Sequence, residues 1–464
     1  MNSRLTRRAV AATSIGLAAA GVVGPTARAA ATPEASPTSD QTDTPVGRQL
    51  AWVLAVINGE LPIPTNDELI ARFSAEMVQA IPVEQLQGIF QQFHDLYAPI
   101  VVVETDPNST DFAQISLAGV RDGSQLLISI QVAEAEPHQI TGLNFEPYNA
   151  PPEEIAPLAN LAELETKLAS VAPEFSIFAS ELLEDGTLQP IHAVNETEFL
   201  AIGSAFKFYV LGAVAQNIAL GNASWDQPIT LTTELKSFPS GTTQDEPVGT
   251  EIAIEELARR MMSISDNTAT DMLLAFFGRD AVEAALAELG HSDPARTVPF
   301  LKTKEMFLLK LSGDPERMRA YIDGDLTARR EILTTLEGEP LPALTVAVEW
   351  TEPIAIDSIE WFATMPDLAR AMAWLWNEGA KPGLEPLRSI LTLNPGVPFD
   401  DTVWNAVAFK GGSEVGVMAL SWLLERIDGR TFTIACAVNN PESAIPENDI
   451  ALAAAGAFAL LAIV

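Results

Sequence analysis

The chain has 464 residues, of which 47% are hydrophobic and 19% charged, which excludes one small domain and describes a globular rather than a disordered protein. Sixty-two acids against 27 bases leave a formal charge of −35, which repels nucleic acid and anionic membrane surfaces and excludes both as general partners. Cys436 is the sole cysteine, so no intrachain disulfide forms, and its apolar surroundings predict a buried thiol.

Residues 1–29 read as a twin-arginine-type signal peptide: Arg7 and Arg8 come first, then an apolar stretch over 9–23, then Ala27-Arg28-Ala29 as the cleavage site. The expectation is an exported protein, extracellular or periplasmic. The apolar stretch is shorter than the ~20 residues that a spanning helix needs, so no membrane span is expected in the mature form. Residues 30–46 are rich in Pro, Ser, Thr and acids and read as a disordered linker.

A first domain is expected over 47–150. Apolar residues recur at helical spacing in RQLAWVLAVINGE, TNDELIARFS and PVEQLQGIFQQFHDLYAPI. Four β-branched runs follow, VVVETDP, FAQISLAG, SQLLISIQVAE and HQITGLNFEPY, with turn residues such as Asp106-Pro107-Asn108 and Asp122-Gly123 between them. This predicts a small α+β unit with a curved sheet wrapped on helices.

A second domain is expected over 151–464. A helix over 153–170 leads into two strands, FSIFASELL and LQPIHAVN, around Glu184-Asp185-Gly186. A mostly helical stretch follows over 204–378. Strands return in WNAVAFKGGS, VGVMALSWLLERI and RTFTIACAVNN, and NDIALAAAGAFALLAIV closes the chain as a helix buried on the sheet. One sheet built from both ends of the domain is implied, with a helical subdomain inserted between them and a cleft at the junction.

Three motifs in this domain carry chemistry. Ser204-Ala205-Phe206-Lys207 opens an apolar helix, and the i to i+3 spacing puts a hydroxyl and an amine on one face. A lysine whose ammonium is disfavoured by burial can take the proton of a serine nucleophile. Ser265-Asp266-Asn267 precedes a second apolar helix and offers a proton relay in Ser265 and an amide donor for a substrate carbonyl in Asn267. Lys410-Gly411-Gly412-Ser413 lies on a strand, where Lys410 supplies positive potential and the Ser413 N–H completes an oxyanion hole. Each motif alone also has an ordinary reading, helix caps for the first two and a β-bulge for the glycine pair. No metal-ligand spacing joins His94, His138, His192 and His291, and no phosphate loop is present, so no cofactor or metal is called for.

In this order and context the three motifs are the signature of the penicillin-recognising, class A β-lactamase-like serine hydrolases, which the chain resembles. GTEIAIEELARRMMSISDNTATDMLL and FATMPDLARAM are similar to segments of those enzymes. PFLKTKEMFLLKL and ITGLNFEP resemble the β-lactamase-like hydrolases of clavulanic-acid clusters, which carry a steroid-isomerase-like domain in front. The resemblance implies an α+β fold: a small steroid-isomerase-like domain, then a β-lactamase/transpeptidase-like domain with an antiparallel sheet flanked by helices plus an all-helical subdomain. It implies an exported serine hydrolase forming a Ser204 acyl-enzyme on a small-molecule β-lactam or ester. The alternatives are an esterase with little lactamase activity and a slow penicillin- or acyl-binding protein. Ser204, Lys207, Ser265 and Lys410 would be catalytic, and Asn267, Gly412, Ser413 and Met418 would bind substrate, Met418 facing the site. The chain departs from the class A pattern twice. No Glu-x-x-Leu-Asn string lies between Asn267 and Phe362, and the nearest acid, Glu305, reads as a helix-surface residue. Gly411 stands where a Thr or Ser hydroxyl is usual. No pattern points to an oligomeric state.

Overall fold

A computed structural model of the protein describes residues 44–464 apart from 99, 106–110, 120–124, 134, 148–157, 239, 344–345 and 348–349. The expected signal peptide and most of the expected linker lie outside the described residues. The chain divides into two compact units, one ending at Ala150 and the other continuing from Pro151 to Val464.

In the first unit four helices, α1 (Pro45–Ile57), α2 (Asn66–Arg72), α3 (Ala75–Ala80) and α4 (Val83–Tyr97), precede four strands, β1 (Ile100–Thr105), β2 (Phe112–Gly119), β3 (Gln125–Val132) and β4 (Ile140–Pro147). The sequence pattern shows three of these helices; α3 is additional and starts at Ser74, whose hydroxyl accepts from Met77 N. The strands pair in chain order as an antiparallel meander. Alternate residues of β2 and β3, among them Ile115, Leu117, Ile128 and Ile130, are buried with Val53, Leu69, Phe73 and Phe90 of the helical segment. Side chains of period two therefore meet side chains of period 3.6 in one core. Thr65 and Glu68 form a capping box that fixes the start of α2.

In the second unit α5 (Leu161–Val171) leads into β5 (Glu174–Leu182) and β6 (Leu188–Val194). The helical stretch contains α6 (Lys207–Ala219), α7 (Ile254–Ser263), α8 (Asn267–Phe277), α9 (Arg279–Glu288) and α10 (Thr303–Leu311), then further short helices up to α11 (Met365–Glu378). The chain returns as β7 (Trp404–Glu414), β8 (Val417–Arg426) and β9 (Thr431–Asn439). All five strands form one antiparallel sheet in the order β7-β8-β9-β5-β6, so its middle joins the two ends of the domain. Leu200–Ala201 also pairs with Phe362–Ala363, tying the start of the helical stretch to its end.

Each face of the sheet is covered. Helices α6, α8 and α11 lie on one side over Ala408, Ala419, Leu423 and Ala435. On the other, α5 and the terminal segment cover Leu420, Trp422, Ile434 and Cys436. Helix α6 is buried from Lys207 through Ala215, which is why it is apolar on every side. Burying one such Phe, Leu or Val contributes roughly 1.5–3 kcal/mol. The single terminal helix expected from the sequence is two, α12 (Glu447–Ala455) and α13 (Ala457–Ala462), meeting at Gly456. No described helix is long and apolar enough to cross a membrane.

Candidate active site

The Ser204 hydroxyl stands on a 3-10 turn, Gly203–Phe206, that runs directly into α6. Two bonds hold this turn in place. Ile202 N donates to Trp361 O at 3.0 Å, and the Phe206 ring stacks on Trp361 with centroids 3.7 Å apart. Strand β7 then passes so close that only glycine fits. A Cβ on Gly412 would lie 2.2 Å from Ile202 O and 2.3 Å from Ser204 N, and one on Gly203 would lie 2.9 Å from Ser413 N. The pairing of β7 with β8 is unbroken through Gly411 and Gly412, so the glycine pair is not a bulge. It admits the backbone of the nucleophile turn and brings the Ser204 and Ser413 N–H groups together.

Gly412→Ala is therefore expected to be far more damaging than Gly411→Ala. At 412 the obstructing atoms are backbone, whereas at 411 they are chiefly the side chains of Phe409 and Leu420. Overpacking of this kind costs about 1–3 kcal/mol of stability, and a shift of about 1 Å between reacting groups costs on the order of 100-fold in rate. Thermal melts and steady-state rates on the two variants check this; equal effects would remove the steric argument.

The Lys207 amine is fully buried at the centre of the site. Its Nζ lies 3.0 Å from Ser204 Oγ, 2.6 Å from Ser265 O, 3.0 Å from Ser265 Oγ and 2.8 Å from Asn267 Oδ1. Burial, and next to it the Lys410 ammonium, push the amine well below the ordinary lysine value; Asp266 and Asp271 oppose this only in part. A neutral amine has two N–H donors and one lone pair. The Ser265 carbonyl and the Asn267 carboxamide oxygen can only accept, so they take the two donors. The lone pair is then left for a hydroxyl, and Ser204 O–H is positioned to donate to it.

Ser265 reaches this point because it adopts the left-handed conformation, φ 57°, between α7 and α8. Asp266 fixes that turn: its carboxylate, with no solvent exposure, accepts from the backbone N–H groups of Thr242, Thr243 and Ala269. Ser265 Oγ also accepts from Lys410 Nζ at 2.9 Å, so one hydroxyl bridges two lysines. The second partner of Lys410 is Gly411 O at 2.6 Å, and burial pushes its ammonium down to about 7. Asn267 donates one amide hydrogen to Phe238 O at 3.1 Å.

The structure thus brings Ser204, Lys207, Ser265, Asn267, Lys410, Gly412 and Ser413 together. Met418 is a correction. Paired residues of an antiparallel ladder share a face, and Met418 pairs with Ser413, away from the face of Lys410 and Gly412. It packs with Leu420 and Trp422 in the core under the terminal helices. Glu305 is a second correction: it is buried, not on the helix surface, and pairs with Arg279 at 2.7 Å while accepting from Lys302 N. Cys436 is buried, and its thiol is pushed up to about 12. Sequence reasoning missed Trp361, which holds the nucleophile turn, and Glu447, whose carboxyl hydrogen-bonds the Ser413 side chain and is pushed up to about 7 by burial. Both lie far from the motifs in sequence and carry no pattern of their own.

Fold and site together define residues 151–464 as a domain of the β-lactamase and penicillin-binding serine hydrolase fold. The model of the beta-lactamase enzyme family matches residues 160–329, and that of the ORF 12 gene product N-terminal domain matches residues 41–136. The chain therefore carries a beta-lactamase-family domain behind an ORF 12-type N-terminal domain. Solved structures similar to it include a beta-lactamase from Sphaerobacter thermophilus at 20% identity and TM-score 0.46, over 66% of this chain and 98% of that one. A beta-lactamase from Desulfarculus baarsii is similar at 19% identity and TM-score 0.45, over 66% and 98%. PBP-A, determined as an acyl-enzyme with penicillin G, is similar at 17% identity and TM-score 0.44, over 68% and 100%. No curated protein matches the chain.

Proposed function

We propose that the protein is an exported serine hydrolase that forms an acyl-enzyme through Ser204 on an ester or lactam. The observation that carries this reading is the Lys207 amine, whose four partners among the described residues are all neutral oxygens, Ser204 Oγ among them. Such an amine, with no carboxylate in contact to hold its proton, is suited to act as a base rather than as half of an ion pair.

In the first half-reaction Ser204 O–H gives its proton to Lys207 Nζ as Oγ attacks the carbonyl carbon. The oxyanion is held by the N–H groups of Ser204 and Ser413. On collapse the bond to the leaving oxygen or nitrogen breaks, and that atom takes a proton through Ser265 Oγ, which Lys207 and Lys410 both touch. Water then attacks the acyl carbon along the same route in reverse and frees Ser204. Gly411 offers no hydroxyl for a β-lactam carboxylate, which favours esters over penicillins as substrates. A short acyl ester or a fluorescent penicillin should leave a mass adduct on Ser204. Comparing ester with nitrocefin hydrolysis separates the esterase from the lactamase reading, and no adduct from a broad panel would end both.

Export rests on Arg7-Arg8 and Ala27-Arg28-Ala29. Secreted material is expected to begin at Ala30 by mass spectrometry and to be lost from the medium in an Arg7→Lys, Arg8→Lys variant; unchanged secretion of that variant would exclude the twin-arginine route.

A further inference from the structure

Three buried ionisable side chains stand beside the reacting groups, and the mechanism above uses none of them. Lys310 of α10 has no exposed side-chain surface, and its Nζ lies 2.5 Å from Glu414 Oε1 and 3.3 Å from Glu360 Oε1. Glu414 is the last residue of β7 and follows Ser413 directly. Glu360 accepts from the N–H of Trp361 at 3.3 Å. Trp361 is the residue that accepts from Ile202 N and stacks on Phe206. One ammonium thus reaches the two separate pieces of backbone that hold the Ser204 and Ser413 N–H groups.

We propose that Lys310 is a positioning residue that clamps the two halves of the oxyanion pocket, gripping the nucleophile turn through Glu360 and Trp361 and the strand end through Glu414. The proposal rests on the acyl-enzyme reading. The alternative, a cluster that serves stability alone, is a poor account of these groups. Three ionisable side chains withdrawn from water cost stability even when paired, and two carboxyls here share a single lysine. Burial and the neighbouring Glu360 also push the Glu414 carboxyl up, against the Lys310 amine beside it. What the cluster does supply is a fixed distance. Lys310 lies 2.5 Å from Glu414 at the end of β7 and 3.3 Å from Glu360 in the segment behind Ser204, and no apolar side chain could bond to both.

The test uses the full chain and four proteins: wild type, Lys310→Met, Lys310→Arg and the triple variant K310M/E360L/E414L. Ser204 is titrated with a fluorescent phosphonate, and kcat per titrated serine, KM and the melting temperature are measured with a short acyl ester. Loss of the clamp is expected to lower kcat per titrated serine by about 30- to 100-fold in K310M with KM changed by less than about twofold. K310R should recover part of that loss, since a second cation can span the same acids. The triple variant, its buried charges replaced by apolar groups, should melt as high as wild type and remain as slow as K310M; should K310M fail to fold, this comparison stands in its place. A K310M or triple variant with wild-type kcat per titrated serine, its losses confined to the titratable fraction or the melting temperature, would overturn the clamp alone. Wild type that neither labels at Ser204 nor turns over any ester would overturn the hydrolase reading and the clamp together.

Discussion

Ser204→Ala is expected to lower kcat/KM by about 10⁴-fold or more on every ester or lactam that the wild type hydrolyses, while the protein melts within a few degrees of wild type. The size follows from what is removed and what stays. Ser204 Oγ is the atom that would bond to the substrate, and its partner is the Lys207 amine at 3.0 Å. The backbone N–H groups at 204 and 413 remain, so the residual rate reports the oxyanion pocket alone. The side chain is only partly buried, and one lost hydrogen bond costs about 0.5–1.5 kcal/mol. Steady-state rates and intact mass after incubation with substrate check the result. A variant retaining as much as about one-tenth of the wild-type rate would take Ser204 out of the chemistry, since nucleophile losses are far larger.

Lys207→Met should lower kcat by about 10²- to 10⁴-fold, the usual range for a general base, and should make the protein more stable rather than less. Two opposite signs on one substitution make this a demanding expectation. The folded lysine titrates well below the ordinary lysine value of 10.5, with burial as the main cause. Below 10.5 the unfolded chain therefore binds a proton that the folded chain does not, and wild-type stability falls as the pH drops from 10.5 toward the folded value. Methionine removes that penalty, so the stability gain of the variant should grow on acidification through this window. Activity follows the same groups. Loss of the Lys207 proton, favoured by burial, should raise the wild-type kcat/KM, and loss of the Lys410 proton, held at about 7 by burial, should lower it. In Lys410→Met the alkaline limb should vanish; a limb that persists there would assign it to another group.

Much of this site is legible in the sequence because its chemistry sits in short, local patterns. Ser204 and Lys207 share one turn, Ser265 to Asn267 share one cap, and the glycine pair after Lys410 asks what approaches the strand. The structure answers that question with the nucleophile turn itself. The sequence holds nothing to correct the placement of Met418 that the resemblance implies: VGVMALSWLL is apolar on both faces of a strand buried on both sides, so alternation gives no sign of which face is which. The burial of Glu305 depends on Arg279, distant in sequence, and the clamp on Lys310 joins positions 50 and 104 residues away, partnerships that no local window contains. The break at Gly456 is invisible for the opposite reason, because its neighbours on both sides are good helix formers.

The strand order has a bearing on how the protein is made. The pairing of β9 with β5 joins Leu182 to Thr431, so the whole helical stretch, β7 and β8 must be synthesised before it can form. Contacts of such long range are slow to close and leave strand edges open while they wait. Lys410 and the Ser413 amide enter the growing chain long after Ser204, Lys207 and Ser265, so a fragment ending before β7 carries only half of the site. The pair of N–H groups at 204 and 413 exists only once β7 has been made and has reached the nucleophile turn.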